Sequence, residues 1–300
     1  MKIRQAIKTV LAYLWKVPLC AFAYVIGTMA GGALVTGLGM KLPSVPEQVD
    51  EKTMGLCLLA GSFALALGIA PLARRIQARY LVRVLILAGL CYFCLGVNIP
   101  IEAAFFTNLG GMSTMPVFSL LPCLLFAAVT ALLFRPAGEN EPFGPAVSNF
   151  FSGRSTREWA WRLVAAICAF PAIYLIFGMS VAPWVVPYYE QEQFGLVLPR
   201  LSTIALVQLP RSLFFLAAAL PIVIVWSSSR LRLTALLGVA FFVLVGLFGM
   251  IQSYWLGPVL LVVHNLEILA DSVVYAGVLA LLFVPGQTSR FPAVGTLAIA

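Results

Sequence analysis

The sequence predicts an all-α polytopic membrane protein with eight transmembrane helices, and three observations predict it. Hydrophobic residues make up 62% of the chain and charged residues 10%, with mean hydropathy +1.01. A water-soluble domain carries about 25% charged residues, so this chain has too few polar side chains to cover a globule in water. Its apolar residues fall into runs near the ~20 residues that span a hydrocarbon core. Lys and Arg gather between alternate runs, as orientation signals do. Short segments of alternating polarity, the mark of an outer-membrane barrel, do not recur.

The runs cover roughly 10–39, 53–73, 80–100, 112–134, 161–188, 205–227, 231–252 and 258–284, sized by the same span rule. The opening MKIRQAIKTVLAYLWKVPLC has a basic start like a signal peptide. Its apolar run is longer than a signal core and lacks a convincing cleavage site, so it reads as a retained first helix. The first and fifth runs exceed a simple span and carry Pro18 with the glycines of GTMAGG, and Pro171, Gly178 and Pro183. They are expected to be tilted or broken. Gly27 and Gly31 have the GxxxG spacing that lets helices approach closely.

Charge placement checks the helix count. Lys2, Arg4 and Lys8 precede the first run; Arg74, Arg75, Arg79 and Arg83 follow the second; Arg135, Arg154, Arg157 and Arg162 surround the central connection; Arg230, Arg232 and Arg290 complete the set. The other connections are poor in basic residues: one holds Glu47, Asp50, Glu51 and Lys52, one Glu102, one Glu190, Glu192 and Arg200. This alternation puts both termini in the cytoplasm of a multi-pass protein of the inner (plasma) membrane. The net charge of +8 belongs to the same pattern. It makes no basic, aromatic-interleaved surface for nucleic acid.

The Pro- and Gly-rich connection, RPAGENEPFGP, divides the chain into 1–135, a first four-helix membrane half; 136–160, a cytoplasmic connecting loop able to dock a protein partner; 161–285, a second four-helix half; and 286–300, a cytoplasmic tail. Ser155 and Glu158 fit a capping box at a helix start. The halves resemble each other: FAAVTALLFRP at 126–136 aligns with YAGVLALLFVP at 275–285, and Tyr24, Ile26 and Met29 with Tyr174, Ile176 and Met179. Four helices per half make the internal repeat parallel, with its two-fold axis along the membrane normal.

The last run carries the chemistry in HNLEILADS. At 100° per residue His264, Glu267, Asp271 and Tyr275 fall within an arc of about 80°. Counting from Pro258, His264 lies about 9 Å, Glu267 about 14 Å and Asp271 about 20 Å into a ~30 Å core. A charge at that depth costs about 2.5–3.5 kcal/mol on insertion scales, so this face should meet protein or an enclosed cavity rather than lipid. Carboxylates that cannot both ionise make a proton site; His with two carboxylates offers metal ligands; the same groups serve acid–base catalysis; and a polar network also simply orients helices. In the aligned fourth run Met115, Phe118 and Pro122 stand where His264, Glu267 and Asp271 do, so one half alone carries the acidic stripe.

Arg211, near the outer end of the sixth run, is a partner for Glu267 if their helices adjoin. Glu102 starts a stretch, 101–111, that reads as a short interfacial or re-entrant helix, with Glu102 an interfacial charge. Lys16 beside Trp15 reads as a snorkelling anchor. Trp184, Tyr188, Tyr189, Tyr254 and Trp255 sit at predicted boundaries as aromatic anchors. Cys91 and Cys94 form a CxxC inside an apolar run with no second ligand pair, so packing explains them. No phosphate loop, dinucleotide fingerprint, zincin helix or nucleophile elbow is present, and a single His excludes bis-His haem within the chain.

The leading expectation is transport of a small solute or ion through a midplane acidic site, with His264, Glu267, Asp271, Tyr275, Arg211 and Glu102 as its residues. The alternatives are a non-catalytic sensor or assembly subunit and an intramembrane enzyme acting on a lipid-linked substrate. Nothing in the sequence names a cofactor, a resident metal or a catalytic residue.

Overall fold

The computed structural model describes residues 2–42, 49–108, 110, 112–136, 138 and 142–285. Glu47, the side chains of Lys2, Arg4 and Lys8, and the tail 286–300 with Arg290 lie outside the described residues. The described chain is helical. Strand-like geometry is confined to isolated bridge residues among those described: Thr107 pairs antiparallel with Leu196, and Ala78 is another.

Among the described residues nine helices can be followed: α1 (Lys2–Gly37), α2 (Glu51–Ala73), α3 (Tyr80–Phe106), α4 (Met115–Leu133), α5 (Phe143–Ser152), α6 (Thr156–Glu190), α7 (Leu201–Ile224), α8 (Arg230–Gln252) and α9 (Pro258–Phe283). All except α5 are long and apolar enough to cross a membrane, which makes eight candidate spans. The chain is therefore an integral membrane protein of the multi-pass kind.

Helix starts follow local chemistry. Asp50 caps α2, accepting from the Thr53 backbone N–H at 2.8 Å and its hydroxyl at 2.7 Å. These bonds hold the Asp50 carboxyl below its ordinary range. The capping box at α6 is complete: Glu158 N–H donates to Ser155 Oγ at 3.3 Å and Ser155 N–H to Glu158 Oε2 at 3.2 Å. Prolines do not break the long helices. Pro18 sits inside an unbroken α1, and Pro171, Pro183 and Pro187 inside an unbroken α6. The expectation of broken first and fifth spans is corrected to this extent: the prolines lie inside continuous helices, as membrane-spanning helices tolerate.

Two spans carry π turns that hydropathy does not reveal, Tyr92–Asn98 in α3 and Val243–Leu247 in α8. The first continues directly into Ile99–Phe106. The stretch from 101 is therefore the end of α3 rather than a separate re-entrant helix. The π turns also serve packing: a Cβ on Gly96 would come within 2.9 Å of Ser119 Cβ on α4, and one on Gly246 within 2.9 Å of Ile268 Cγ2 on α9.

In the first half α1 packs on α4 and α2, and α3 on α4; in the second α6 packs on α9 and α7, and α8 on α9. The halves meet where α2 lies against α8 and α3 against α7. The GxxxG spacing is used inside the chain. Any Cβ on Gly27 would overlap the Pro122 backbone, and any on Gly31 the Phe118 carbonyl.

Basic side chains close one end of the bundle by capping helix C-termini, whose last carbonyls lack partners and carry partial negative charge. Lys16 Nζ donates to Leu133 O at 2.7 Å and Arg83 to Phe134 O. Arg154 Nη2 donates to Phe283 O and Arg230 Nε to Val284 O, both at 2.8 Å, and Arg162 donates to Leu282 O. Lys16 thus does more than snorkel. It binds α4 and lies 5.4 Å from the Trp15 ring centroid.

Candidate functional site

The stripe on α9 forms as its spacing predicts, and it faces inward: Glu267, Asp271, Ser272 and Tyr275 are buried, while the intervening Leu266 and Val273 are exposed. Asp271 lies thirteen residues past Pro258, about 20 Å along a helix at 1.5 Å per residue. It sits near the middle of this 26-residue helix.

One histidine–carboxylate contact and one ion pair make up the candidate site. His264 Nδ1 lies 2.8 Å from Glu267 Oε2. Arg211 on α7 pairs with Glu102 on α3, Nη2 to Oε2 at 2.7 Å, and its Nη1 donates to Gln208 Oε1 at 2.8 Å. The expected Arg211–Glu267 pair is therefore replaced. Glu102 takes the guanidinium because the α3–α7 contact places the two ends together, and Glu267 takes the imidazole three residues before it on α9. Nor is Glu102 a plain interfacial charge: it is only 25% exposed, against 3% for Arg211. Tyr174 OH is 3.4 Å from Glu102 Oε1, and the Arg211 guanidinium stands 5.7 Å from the ring centroids of both Phe170 and Tyr174. Such stacking stabilises a desolvated guanidinium.

All six predicted residues line one small cavity of ≈ 30 Å³. A water needs about 10–15 Å³ of such volume, so the cavity is wide enough for about two. Among the described residues Asp271 Oδ1, Tyr275 Oη, Gln208 Nε2 and Arg211 Nε have no hydrogen-bond partner. Buried polar atoms are normally paired, which marks this as a site with bonding capacity to spare.

Toward the basic end the cavity is closed by rings. Phe170 meets Phe215 at 4.7 Å and Tyr275 at 5.2 Å between centroids, and Phe215 meets Phe241 at 5.2 Å. Toward the opposite end His264 and Glu267 also border a second, larger space. This apolar groove of ≈ 320 Å³ lies between α6 and the start of α7, with Phe106 of α3 in its wall. Glu267 stands between the two spaces.

Sequence reading missed Tyr174, which lines the cavity, and Gln208, which accepts from Arg211. Gln208 sits three residues before Arg211, and that helical spacing was the available signal. Cys91 and Cys94 are free and buried. No three His, Cys, Asp or Glu side chains converge as a metal ligand set among the described residues. Comparison of the chain with protein-family models, curated proteins and solved structures finds no significant match.

Proposed function

We propose that this chain, a multi-pass protein of the inner (plasma) membrane, transports a small solute or ion, with Glu267 and Asp271 binding the proton or cation exchanged. One observation carries the reading. Near the helix midpoint Asp271 presents an oxygen without a partner to a water-sized cavity, one turn from Glu267. A polar network that only held helices together would have its hydrogen bonds made. A carboxylate with spare capacity at that depth suits binding and release.

The same proposal includes two parallel four-helix repeats with both termini cytoplasmic. Supporting it are the matched packing within each half, the reciprocal α2–α8 and α3–α7 contacts, and a π turn in the third helix of each half. The glycine contacts fall at the aligned positions, Gly96 on Ser119 and Gly246 on Ile268. Orientation rests on the arginine-rich end of the bundle and the positive-inside rule. The cavity then approaches the outer side, with the aromatic cluster sealing the cytoplasmic side.

The test is reconstitution of the purified chain into liposomes containing a pH indicator, under an imposed pH gradient. A panel of inorganic cations, organic cations and amino acids is added outside. The expected result is solute-dependent proton movement for one class. A chain that moves neither protons nor solute across the whole panel overturns the reading. An intramembrane enzyme acting on a lipid-linked substrate is the second reading, favoured because the apolar groove ends on the His264–Glu267 pair. Recovery of a chemically altered substrate, rather than a translocated one, selects it.

A further inference from the structure

The groove beside Glu267 carries information about what enters the site. It occupies ≈ 320 Å³, against ≈ 30 Å³ for the inner cavity, so it is about ten times as large. Its walls are aliphatic residues of α6 and of the segment leading into α7. Met179 and Leu201, at its mouth, are 69% and 64% exposed. In a membrane these side chains meet alkyl chains, so the groove opens sideways into the bilayer. Its polar groups are Tyr174, Tyr189, His264 and Glu267, toward which the apolar walls lead.

Gly178 makes the connection. A Cβ there would stand 3.2 Å from Glu267 Oε1. The missing side chain leaves that oxygen open toward α6, where any other residue would cover it.

Charge selects the head that fits. Glu102, Glu267 and Asp271 face one guanidinium, Arg211, and one imidazole, His264. With the carboxylates ionised, an excess of negative charge remains even if His264 is protonated. At low local dielectric this excess repels an anionic head and attracts a cationic one. Tyr174 and Tyr189 add aromatic rings to the lining, a ring type that attracts cations.

We propose that the groove admits an amphipathic organic cation from the bilayer, its single alkyl chain between α6 and α7 and its ammonium head against Glu267. This names a substrate class for the transport reading above and rests on it. A permanent cation such as a quaternary ammonium occupies the place of the exchanged proton, so uptake of one head releases one proton and conserves charge at the site.

The full chain in nanodiscs of neutral lipid is titrated with labelled dodecyltrimethylammonium, and empty nanodiscs supply the partitioning baseline. Saturable one-to-one binding above that baseline is expected. Dodecyl sulfate, which has the chain and the wrong charge, and tetramethylammonium, which has the charge and no chain, should each bind at least about tenfold more weakly. Glu267→Gln, which removes the charge, and Ala182→Trp, which fills the groove and leaves every acid in the sequence, should each weaken binding by about tenfold or more. Folding of both variants is followed by gel filtration and thermal midpoint. Equal binding of dodecyl sulfate overturns the charge argument, and undiminished binding by folded Ala182→Trp overturns the groove. If the liposome panel shows proton movement with small hydrophilic cations while dodecyltrimethylammonium does not bind, this inference fails and transport stands. Binding with the stated selectivity but no proton movement has the opposite meaning.

Discussion

The double variant Glu267→Gln with Asp271→Asn will lose solute-coupled proton movement while still inserting and purifying as a folded protein. Each substitution keeps size and shape and removes only the ability to ionise. The amide oxygen that Glu267→Gln introduces can still accept from His264, at the position where Oε2 now lies 2.8 Å from Nδ1. Neutralising two carboxylates near the bilayer midplane also lowers the cost of insertion, so loss of function cannot be put down to failed assembly. The expected rate falls below about 1% of wild type, a loss at the lower end of what removing proton-transfer groups costs. Proteoliposome flux measures it, with thermal midpoint and gel filtration as controls. Wild-type flux from a folded double variant would remove Glu267 and Asp271 from the mechanism.

The largest stability effect should come from Arg211→Met. The guanidinium is almost fully buried and neutralises Glu102 while bonding Gln208. Deleting it leaves Glu102 without its counter-charge, with only the long Tyr174 hydroxyl contact, and the Gln208 amide oxygen without its donor. Breaking one side of a buried pair costs about 3–5 kcal/mol; the partial exposure of Glu102 puts the expectation near the lower figure. Adding Glu102→Gln to the same chain should restore part of the loss, because the unpaired charge is gone, and a double-mutant cycle isolates the pair. Tryptophan fluorescence during thermal unfolding in detergent gives the comparison. An unchanged midpoint for Arg211→Met would show that the pair contributes nothing to holding the halves together.

How much of this was legible in the sequence depends on the kind of contrast each feature needs. Span positions need only a contrast between apolar core and polar loop. The run expected at 258–284 is a helix from Pro258 to Phe283, and the run expected at 53–73 starts two residues earlier. The stripe His264–Glu267–Asp271–Tyr275 was readable because ionisable groups stand out against leucine and valine. The π turns were not. In α3 and α8 both the lipid face and the protein face are apolar, so no periodicity marks an extra residue in a turn. Helix α5, inside the connection 136–160, was missed because it is too short and mixed to register as a span. The partner of Arg211 depended on which helix lies beside α7. Hydropathy is silent on neighbours, and Glu102 seemed peripheral only because α3 was expected to end at Pro100.

The proposed entry of ligand from the bilayer, past the exposed Met179 and Leu201, would have a thermodynamic consequence. A ligand arriving that way is dissolved first in two dimensions, and its chemical potential at the site is set by mole fraction in the leaflet. Aqueous dose then becomes a poor measure of occupancy. A compound of modest intrinsic affinity saturates the site if it partitions strongly, and extra lipid at fixed total ligand dilutes it away. Ranking compounds for this protein therefore means ranking two equilibria, solution to bilayer and bilayer to Glu267, of which the second alone reports on the protein.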